Sequence, residues 1–201
     1  MLHWENVAFV LQHGLCCREH MLADPDYINI GHRQLITDRQ DYPVPIKDAG
    51  NLGDYIPFYF AGHSPMLYLI KNGYQGVEAR RQEDIVFILC DFDKIKVQSL
   101  PFIFTDRNAK LKLAKYYTHE LDFDQLDWEI IKSKQWNNDL NNLSRQDYKQ
   151  AEFLVRDHLP VECIHRLVVK TEKRKLHLDT LIADLEIEIE VNVDINCKLY
   201  Y

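Results

Sequence analysis

Apolar and polar positions alternate along the chain with two different periods, which predict helices and strands in an irregular order. Val7, Val10 and Leu11 follow the i, i+3, i+4 spacing of an amphipathic helix, and Gly14 is typical of the residue after a last turn. The unbroken apolar run Ile85–Cys90 is instead typical of a strand that is buried on both faces.

The same criteria place elements along the rest of the chain. Helices are expected at residues 6–12, 32–38, 64–72, 109–117, 126–134 and 173–183. Strands are expected at residues 55–60, 85–90, 102–105, 151–155, 164–169 and 186–195. The short helix at 32–38 would interrupt a long polar loop at 23–51, and long loops are often functional. This irregular order favours an α+β fold over a doubly wound sheet.

Length and composition indicate one globular unit. With 201 residues and 46% hydrophobic residues, the chain can form a single domain over 1–201. It contains neither an apolar run of membrane-spanning length nor a basic-then-apolar leader, so we expect a cytoplasmic protein without a membrane partner. The five cysteines form no C-x-x-C pair and the nine histidines no H-E-x-x-H motif, so no metal is expected.

The charge restricts the kind of nucleic acid that could bind. A formal net charge of -7 argues against a protein that clamps duplex DNA by its phosphates. It is compatible with a short single strand held by base stacking and a few cations. The acidic residues Glu186, Glu188, Glu190 and Asp194 alternate with apolar neighbours, and we expect them on one solvated face of the last strand.

Aromatic residues concentrate in the segment Asn51–Tyr68, NLGDYIPFYFAGHSPMLY. A core strand does not require Pro57 between aromatic residues, since proline lacks a backbone donor and is confined to edges and bulges. The segment resembles the DarT family, whose members carry a D-Y-V-P-F-Y-F-x-x-x-S-P-M-L-Y block at this place. Three further blocks agree in order: Ile30–Arg39 followed by Pro43–Pro45, Pro101–Arg107, and Gln150–Val155.

The resemblance covers almost the whole chain and implies a bacterial toxin that ADP-ribosylates single-stranded DNA. It implies two packed, mainly antiparallel sheets around a cleft for NAD, which is the co-substrate. The sequence has no G-x-G-x-x-G and no P-loop, so NAD would bind outside a Rossmann crevice. By resemblance the partner is a macrodomain antitoxin (DarG-like). The acceptor would be thymidine, while guanosine, used by a related branch, stays open.

Glu152 is the predicted catalytic residue. Without the resemblance, a single glutamate among the apolar neighbours of a strand is typical of a solvated edge position. It matches the family's catalytic glutamate, however. A carboxylate there can stabilise the oxocarbenium-like state formed as nicotinamide leaves the ribose, and it can accept the proton of the acceptor base.

Arg39 is predicted to serve both catalysis and NAD binding. Without the resemblance it is a solvated arginine in a polar loop. In the family, an arginine five residues ahead of a Val-Pro pair serves the NAD site, and Arg39 has that spacing from Val44. A guanidinium suits a pyrophosphate because its donor fork is planar and permanently charged. Its charge can also favour the deprotonated form of the acceptor base.

Further binding residues follow from the aromatic segment and the turn after it. Alternation places Tyr59 opposite Phe58 and Phe60, and we expect the Tyr59 ring to stack on nicotinamide. By resemblance, His63 and Met66 lie at the edge where family members hold the nucleotide.

The turn after the strand at 102–105 supplies two more candidates. Arg107 and Asn108 are expected to contact DNA. The alternative for this turn is structural, with Asp106 as the cap of the helix expected at 109–117.

Two departures from the family pattern leave another reading open. Family members carry a histidine in a Y-H-I-T-like first strand, ahead of the position that Leu2–Asn6 matches, so the first strand is expected to be missing here. Some relatives also have a histidine in place of Asn108. The alternative is therefore a degenerate relative that binds single-stranded DNA or the antitoxin without turnover. A nuclease has little support because no acidic metal-binding cluster is visible.

Overall fold

The computed structural model describes residues 1–140 and 142–201, which form an α+β fold. The strands are β1 (Leu2–His3), β2 (Leu15–Cys16), β3 (Tyr55–Tyr59), β4 (Ile85–Cys90), β5 (Phe102–Thr105), β6 (Tyr116–Tyr117), β7 (Glu152–Arg156), β8 (His158–Leu159), β9 (Ile164–Val169) and β10 (Glu190–Val193). The helices are α1 (Val7–His13), α2 (Arg33–Gln40), α3 (Pro65–Asn72), α4 (Phe92–Val97), α5 (Trp128–Lys132), α6 (Arg145–Tyr148) and α7 (Glu172–Asp184).

Two four-stranded sheets form the body of the protein. The first has the order β1-β4-β9-β10, with antiparallel pairs except for the parallel pair β9–β10. The second has the order β3-β7-β5-β6 and is antiparallel throughout. Strand β3 is thus an edge strand, which is where a proline such as Pro57 is tolerated. A short ribbon of β2 and β8 lies beside them.

The main core lies between the two sheets. Val86 and Leu167 of the first sheet belong to the same buried cluster as Phe104 and Val155 of the second, and Leu178 of α7 joins them. Since side chains alternate along a strand, Leu154 faces the other way. It packs in a separate cluster with the segment that follows α2.

Helix α2 is held against the second sheet through a close backbone contact. His32 caps its start by accepting the Leu35 N–H at 3.2 Å. Its last residue, Gln40, lies so close to Gly53 that a Cβ at Gly53 would be 2.7 Å from the Gln40 Cα. Only glycine allows this approach without a shift, and the approach places the last turn of α2 beside β3.

Most of the predicted elements are confirmed. The helices at α1, α2, α3 and α7 and the strands β3, β4, β5, β7 and β9 lie where the sequence indicates them. Ser64 caps α3 by accepting the Leu67 N–H at 3.1 Å, and Gly73 ends it with a left-handed φ of 66°.

Two predicted helices need correction. The helix expected at 109–117 is wrong, because this segment consists of turns that lead into β6. The helix expected at 126–134 forms only over Trp128–Lys132. The alternative role of Asp106 as a helix cap is wrong for the same reason, and its carboxylate instead accepts the Lys115 N–H at 2.9 Å.

The solvated face predicted for the last strand is only partly confirmed. Glu186, Glu188 and Glu190 are exposed, but Asp194 is buried. Its carboxylate accepts backbone N–H groups from Lys198 at 2.9 Å, Leu199 at 2.8 Å and Tyr200 at 3.0 Å. It therefore anchors the segment that follows β10.

Candidate active site

Arg39 and Glu152 form a two-pronged ion pair at the end of α2. The guanidinium donates from Nη1 to Oε1 of Glu152 at 3.1 Å and from Nη2 to Oε2 at 2.8 Å. The two residues are 113 positions apart in the chain. Such a fork fixes the plane of the carboxylate as well as its position.

Glu152 is buried, so its interpretation as a solvated edge residue is wrong. Its exposed fraction is 3%, because β7 lies between β3 and β5 in the second sheet. The Ala109 N–H donates to its Oε1 at 3.0 Å. A carboxylate offers about four acceptor positions. Three are filled by Arg39 and Ala109, so among the described residues one position remains, on Oε2.

The main chain of Glu152 is fixed through Thr105. The Thr105 hydroxyl accepts the Glu152 N–H at 3.3 Å and donates to the Arg107 carbonyl at 2.6 Å. Thr105 is fully buried. This contact links the first residue of β7 to the end of β5. The segment from Thr105 to Ala109 therefore holds both the main chain and the carboxylate of Glu152.

Tyr59 lies directly beside Glu152. The two residues are opposite each other in the β3–β7 ladder, so their side chains share one face of the sheet. Burial raises the pKa of the Tyr59 phenol, and the Glu152 carboxylate raises it further, against a smaller opposing effect of Arg39. Tyr59 therefore stays a neutral phenol at physiological pH and presents a ring and a hydroxyl to this site.

His63 and Met66 lie at the turn between β3 and α3. His63 adopts a left-handed φ of 52°, and its ring centroid is 5.2 Å from that of Tyr201. The Met66 sulfur lies against Gly31, just ahead of α2. These two residues continue the same chain segment as Tyr59.

Arg107 and Asn108 follow β5 in the turn that contacts Glu152. The Arg107 guanidinium is buried, pairs with Asp106 at 3.0 Å and lies 4.4 Å above the Tyr148 ring. The Asn108 amide nitrogen donates to Gln150 at 3.4 Å. Asn108 is half-buried, so it is the more accessible of the two.

Thr105, Ala109 and Tyr116 also belong to the site, and no sequence motif indicated them. Tyr116 lies across the sheet from Thr105, and its hydroxyl donates to the Ala109 carbonyl. Burial raises its pKa, and Tyr42 and Glu152 add to this effect. Ala109 acts through its main chain. The helix expected at 109–117 includes both Ala109 and Tyr116, so that prediction does not indicate their contacts in the site.

The described residues form neither a membrane-spanning helix nor a cluster of metal ligands. No helix formed by residues 1–140 or 142–201 is long and apolar enough to span a bilayer. Within the same ranges, no three His, Cys, Asp or Glu side chains come together as a group that could bind a metal.

A buried carboxylate held by an arginine, in a two-sheet α+β fold without a glycine-rich phosphate loop, is the arrangement expected of an ADP-ribosyltransferase. The chain belongs to the DarT family: the family model described as "ssDNA thymidine ADP-ribosyltransferase" matches residues 1–201. A DNA ADP-ribosyl transferase of Escherichia coli O127:H6 is 31% identical over 192 residues, which are 96% of this chain and 88% of that protein.

Solved structures agree with this assignment. DarT of Thermus sp. 2.9 in complex with ADP-ribosylated ssDNA matches with a TM-score of 0.87 and 29% identity, over 99% of this chain and 93% of that chain. The same protein in complex with NAD+ matches with a TM-score of 0.80, over 99% and 94% of the two chains. The predicted family and α+β fold are confirmed.

Proposed function

We propose that this protein transfers the ADP-ribose unit of NAD to a base of single-stranded DNA and releases nicotinamide. The observation that carries the proposal is the fork between Arg39 and the buried Glu152 on a DarT fold. The transferase and toxin reading also follows from membership in a family described by that activity. Residues 1–201 would act as a single transferase domain.

Glu152 acts at the reacting ribose in this mechanism. The bond between the ribose carbon and the nicotinamide nitrogen breaks, and its electron pair leaves with nicotinamide. The carboxylate stabilises the positive charge that develops on the ribose. A base nitrogen then bonds to the same carbon, and its proton passes to Oε2 of Glu152, the oxygen with an acceptor position left among the described residues.

Arg39 orients the carboxylate and contributes to NAD binding. Glu152 takes one N–H from each Nη atom, so the Nε–H and the second hydrogen of each Nη atom are the donors that a pyrophosphate would use. Tyr59 contributes a neutral ring beside the same carboxylate, which suits stacking on nicotinamide.

The acceptor strand would cross the turns on either side of the carboxylate. We place His63 and Met66 on one side of it and Asn108 on the other. Arg107 would meet a phosphate only by leaving Asp106, so its first contribution is to hold the turn. We propose thymidine as the acceptor base, and the description of the family supports this choice. On family membership, the cellular partner is a macrodomain antitoxin in the cytoplasm.

The test uses the whole chain with labelled NAD and short single-stranded oligonucleotides that each contain one type of base. A mass gain of one ADP-ribose on thymidine-containing strands is expected. Arg39→Lys keeps the charge but loses the fork, and should lower the rate by at least about 10-fold, since a point charge does not reproduce bidentate geometry.

Arg33→Lys is the matched control, because Arg33 is exposed on the first turn of the same helix. No mass gain on any oligonucleotide, with DNA binding retained, would favour the non-catalytic relative instead. A mass gain only on the guanosine-containing strands would overturn the choice of thymidine as the acceptor.

A further inference from the structure

A cavity of about 420 Å³ is lined in part by Ala109, whose N–H donates to Glu152. One wall consists of Tyr42, Pro43 and Pro45, and the other includes Ala109, Lys112 and Tyr116. Its volume falls within the range of small-molecule sites. The cavity is open to solvent on one side, and rings, prolines and small aliphatic side chains line it together with one cation.

Both walls are built from segments that hold the catalytic pair. Tyr42 follows Arg39 by three residues, and Ala109 donates its N–H to Glu152. The hydroxyls of the two tyrosines point into main chain: Tyr42 donates to the Lys110 carbonyl at 3.2 Å, and Tyr116 to that of Ala109. With their polar atoms satisfied, the rings offer apolar surfaces to the cavity.

The second wall belongs to the most basic stretch next to the site. Residues 107–119 include four lysines and arginines and no acidic residue, in a chain with a net charge of -7. Lys110 is paired with Asp38 at 3.0 Å, whereas Lys112 is exposed and forms no ion pair with any residue that the structure describes. Leu113 beside it is 75% exposed. Aromatic surfaces together with unpaired cations are the pattern of single-strand binding.

We propose that this cavity holds a nucleobase of the single-stranded DNA substrate next to the base that is modified, with Lys112 on its phosphate. The proposal rests on the proposed function. A DNA base fits better than NAD here, because a base with one phosphate needs flat walls and one cation. The pyrophosphate of a dinucleotide would require more cations than the cavity wall offers.

The test compares Tyr42→Ala, which removes one stacking ring, with Tyr42→Phe, which keeps the ring and removes only the hydroxyl. Fluorescence anisotropy measures affinity for a labelled single strand, and calorimetry measures affinity for NAD. Tyr42→Ala should weaken DNA binding by about 5- to 150-fold and leave NAD binding unchanged, while Tyr42→Phe stays close to wild type.

Abasic oligonucleotides identify the base. An abasic site is moved along the strand one position at a time. At a position beside the modified base, it should weaken binding by the wild type but cause no further loss of affinity in Tyr42→Ala. Lys112→Ala tests the phosphate contact without touching the core, because its side chain is exposed. It should reduce the slope of log affinity against log salt by roughly 0.7, whereas Lys173→Ala on α7 should not.

The outcomes separate the two proposals. If the wild type labels DNA but Tyr42→Ala binds it as tightly as the wild type does, the cavity proposal is wrong and the proposed function stands. If Tyr42→Ala weakens NAD binding instead, the cavity belongs to the dinucleotide. If the wild type neither binds nor labels any single strand, the proposed function fails and the cavity proposal falls with it.

Discussion

Glu152 combines burial with an acceptor position that no described residue fills, and this combination suits the catalytic role proposed for it. Arg39 and Ala109 fix both oxygens, so little reorganisation is needed when charge develops on a bound ribose. The same contacts make the residue structural, since its removal would leave a partly buried guanidinium without its partner. A substitution that tests the chemistry of Glu152 must therefore keep the shape of its side chain.

Glu152→Gln keeps that shape and removes the charge. We expect transfer to fall by about 100- to 10,000-fold, because an amide neither accepts the proton nor stabilises a cation as well. The free energy of unfolding should fall by about 1–3 kcal/mol, since the Arg39 fork loses a charged acceptor. The rate of mass gain and thermal unfolding measure the two effects.

Glu188→Gln, at an exposed position ahead of β10, is the control and should change neither quantity. Turnover by Glu152→Gln close to that of the wild type would remove Glu152 from the mechanism.

At this scale the sequence could indicate Arg39 and Glu152 only through resemblance. Nothing local shows that two residues 113 positions apart share a fork. Contributions made by main chain, such as the Ala109 N–H, leave no trace in residue type. They follow from the fold alone.

At the scale of elements, the contact between Gly53 and Gln40 sets the position of α2. Gly53→Ala would place a Cβ 2.7 Å from backbone atoms of Gln40, so the end of α2 must move away from β3. Because misplacement by about 1 Å can cost about 100-fold in rate, we expect a loss of that order in transfer. The mass-gain assay on folded protein checks it.

The neighbouring side chain offers a diagnostic. Gln40→Ala added to Gly53→Ala should restore nothing, because the obstructing atoms belong to the main chain. Recovery in the double variant would show that the side chain, and not the backbone, limits the approach.

Asp194 makes stability depend on pH. Burial acts to raise its pKa, but the N–H groups of Tyr200, Leu199 and Lys198 and the charge of Lys170 outweigh it, so the pKa lies below its usual value. A carboxyl whose pKa is lowered in the folded state stabilises that state above its unfolded pKa of about 4, and this stabilisation is lost as pH falls through the folded pKa.

Asp194→Asn should therefore cost about 1.5–3 kcal/mol of unfolding free energy at pH 7. Denaturant unfolding at several pH values measures the difference from wild type. That difference should be constant down to about pH 4 and shrink below it. A difference that is independent of pH through this range would show that the charge of Asp194 contributes nothing.

Element prediction succeeded where local signals agreed and failed where tertiary contacts decided. The Ser64 cap, the Gly73 stop and the apolar run of β4 each act locally, and both elements, α3 and β4, were predicted. The segment at 109–117 has the lysine and leucine content of a helix. Its main chain and side chains are instead bound to β5, Glu152 and Tyr42, which no local pattern reveals.

At the scale of the whole molecule, charge and surface favour extended strands over duplex. A net charge of -7 repels a polyanion, so affinity must come from local cations and base stacking. Bases within a duplex are stacked and paired and cannot reach such surfaces. We expect labelling of a single strand and almost none of the same strand annealed to its complement, measured by mass gain.

A hairpin that carries the acceptor base in its loop is the control, since that base is unpaired and should be modified. Equal labelling of loop and stem would contradict the expectation.

The division of the fold into two sheets also has a consequence in time. Every strand of the sheet that carries Glu152 has been synthesised by Arg156, but the first sheet lacks its last strand until Val193, 37 residues later. At 5–20 residues per second this interval is about 2–7 seconds. During it, phenylalanines such as Phe104 and Phe153 lack part of the sheet that covers them in the finished protein. The order of the strands along the chain therefore delays the burial of this aromatic layer during synthesis.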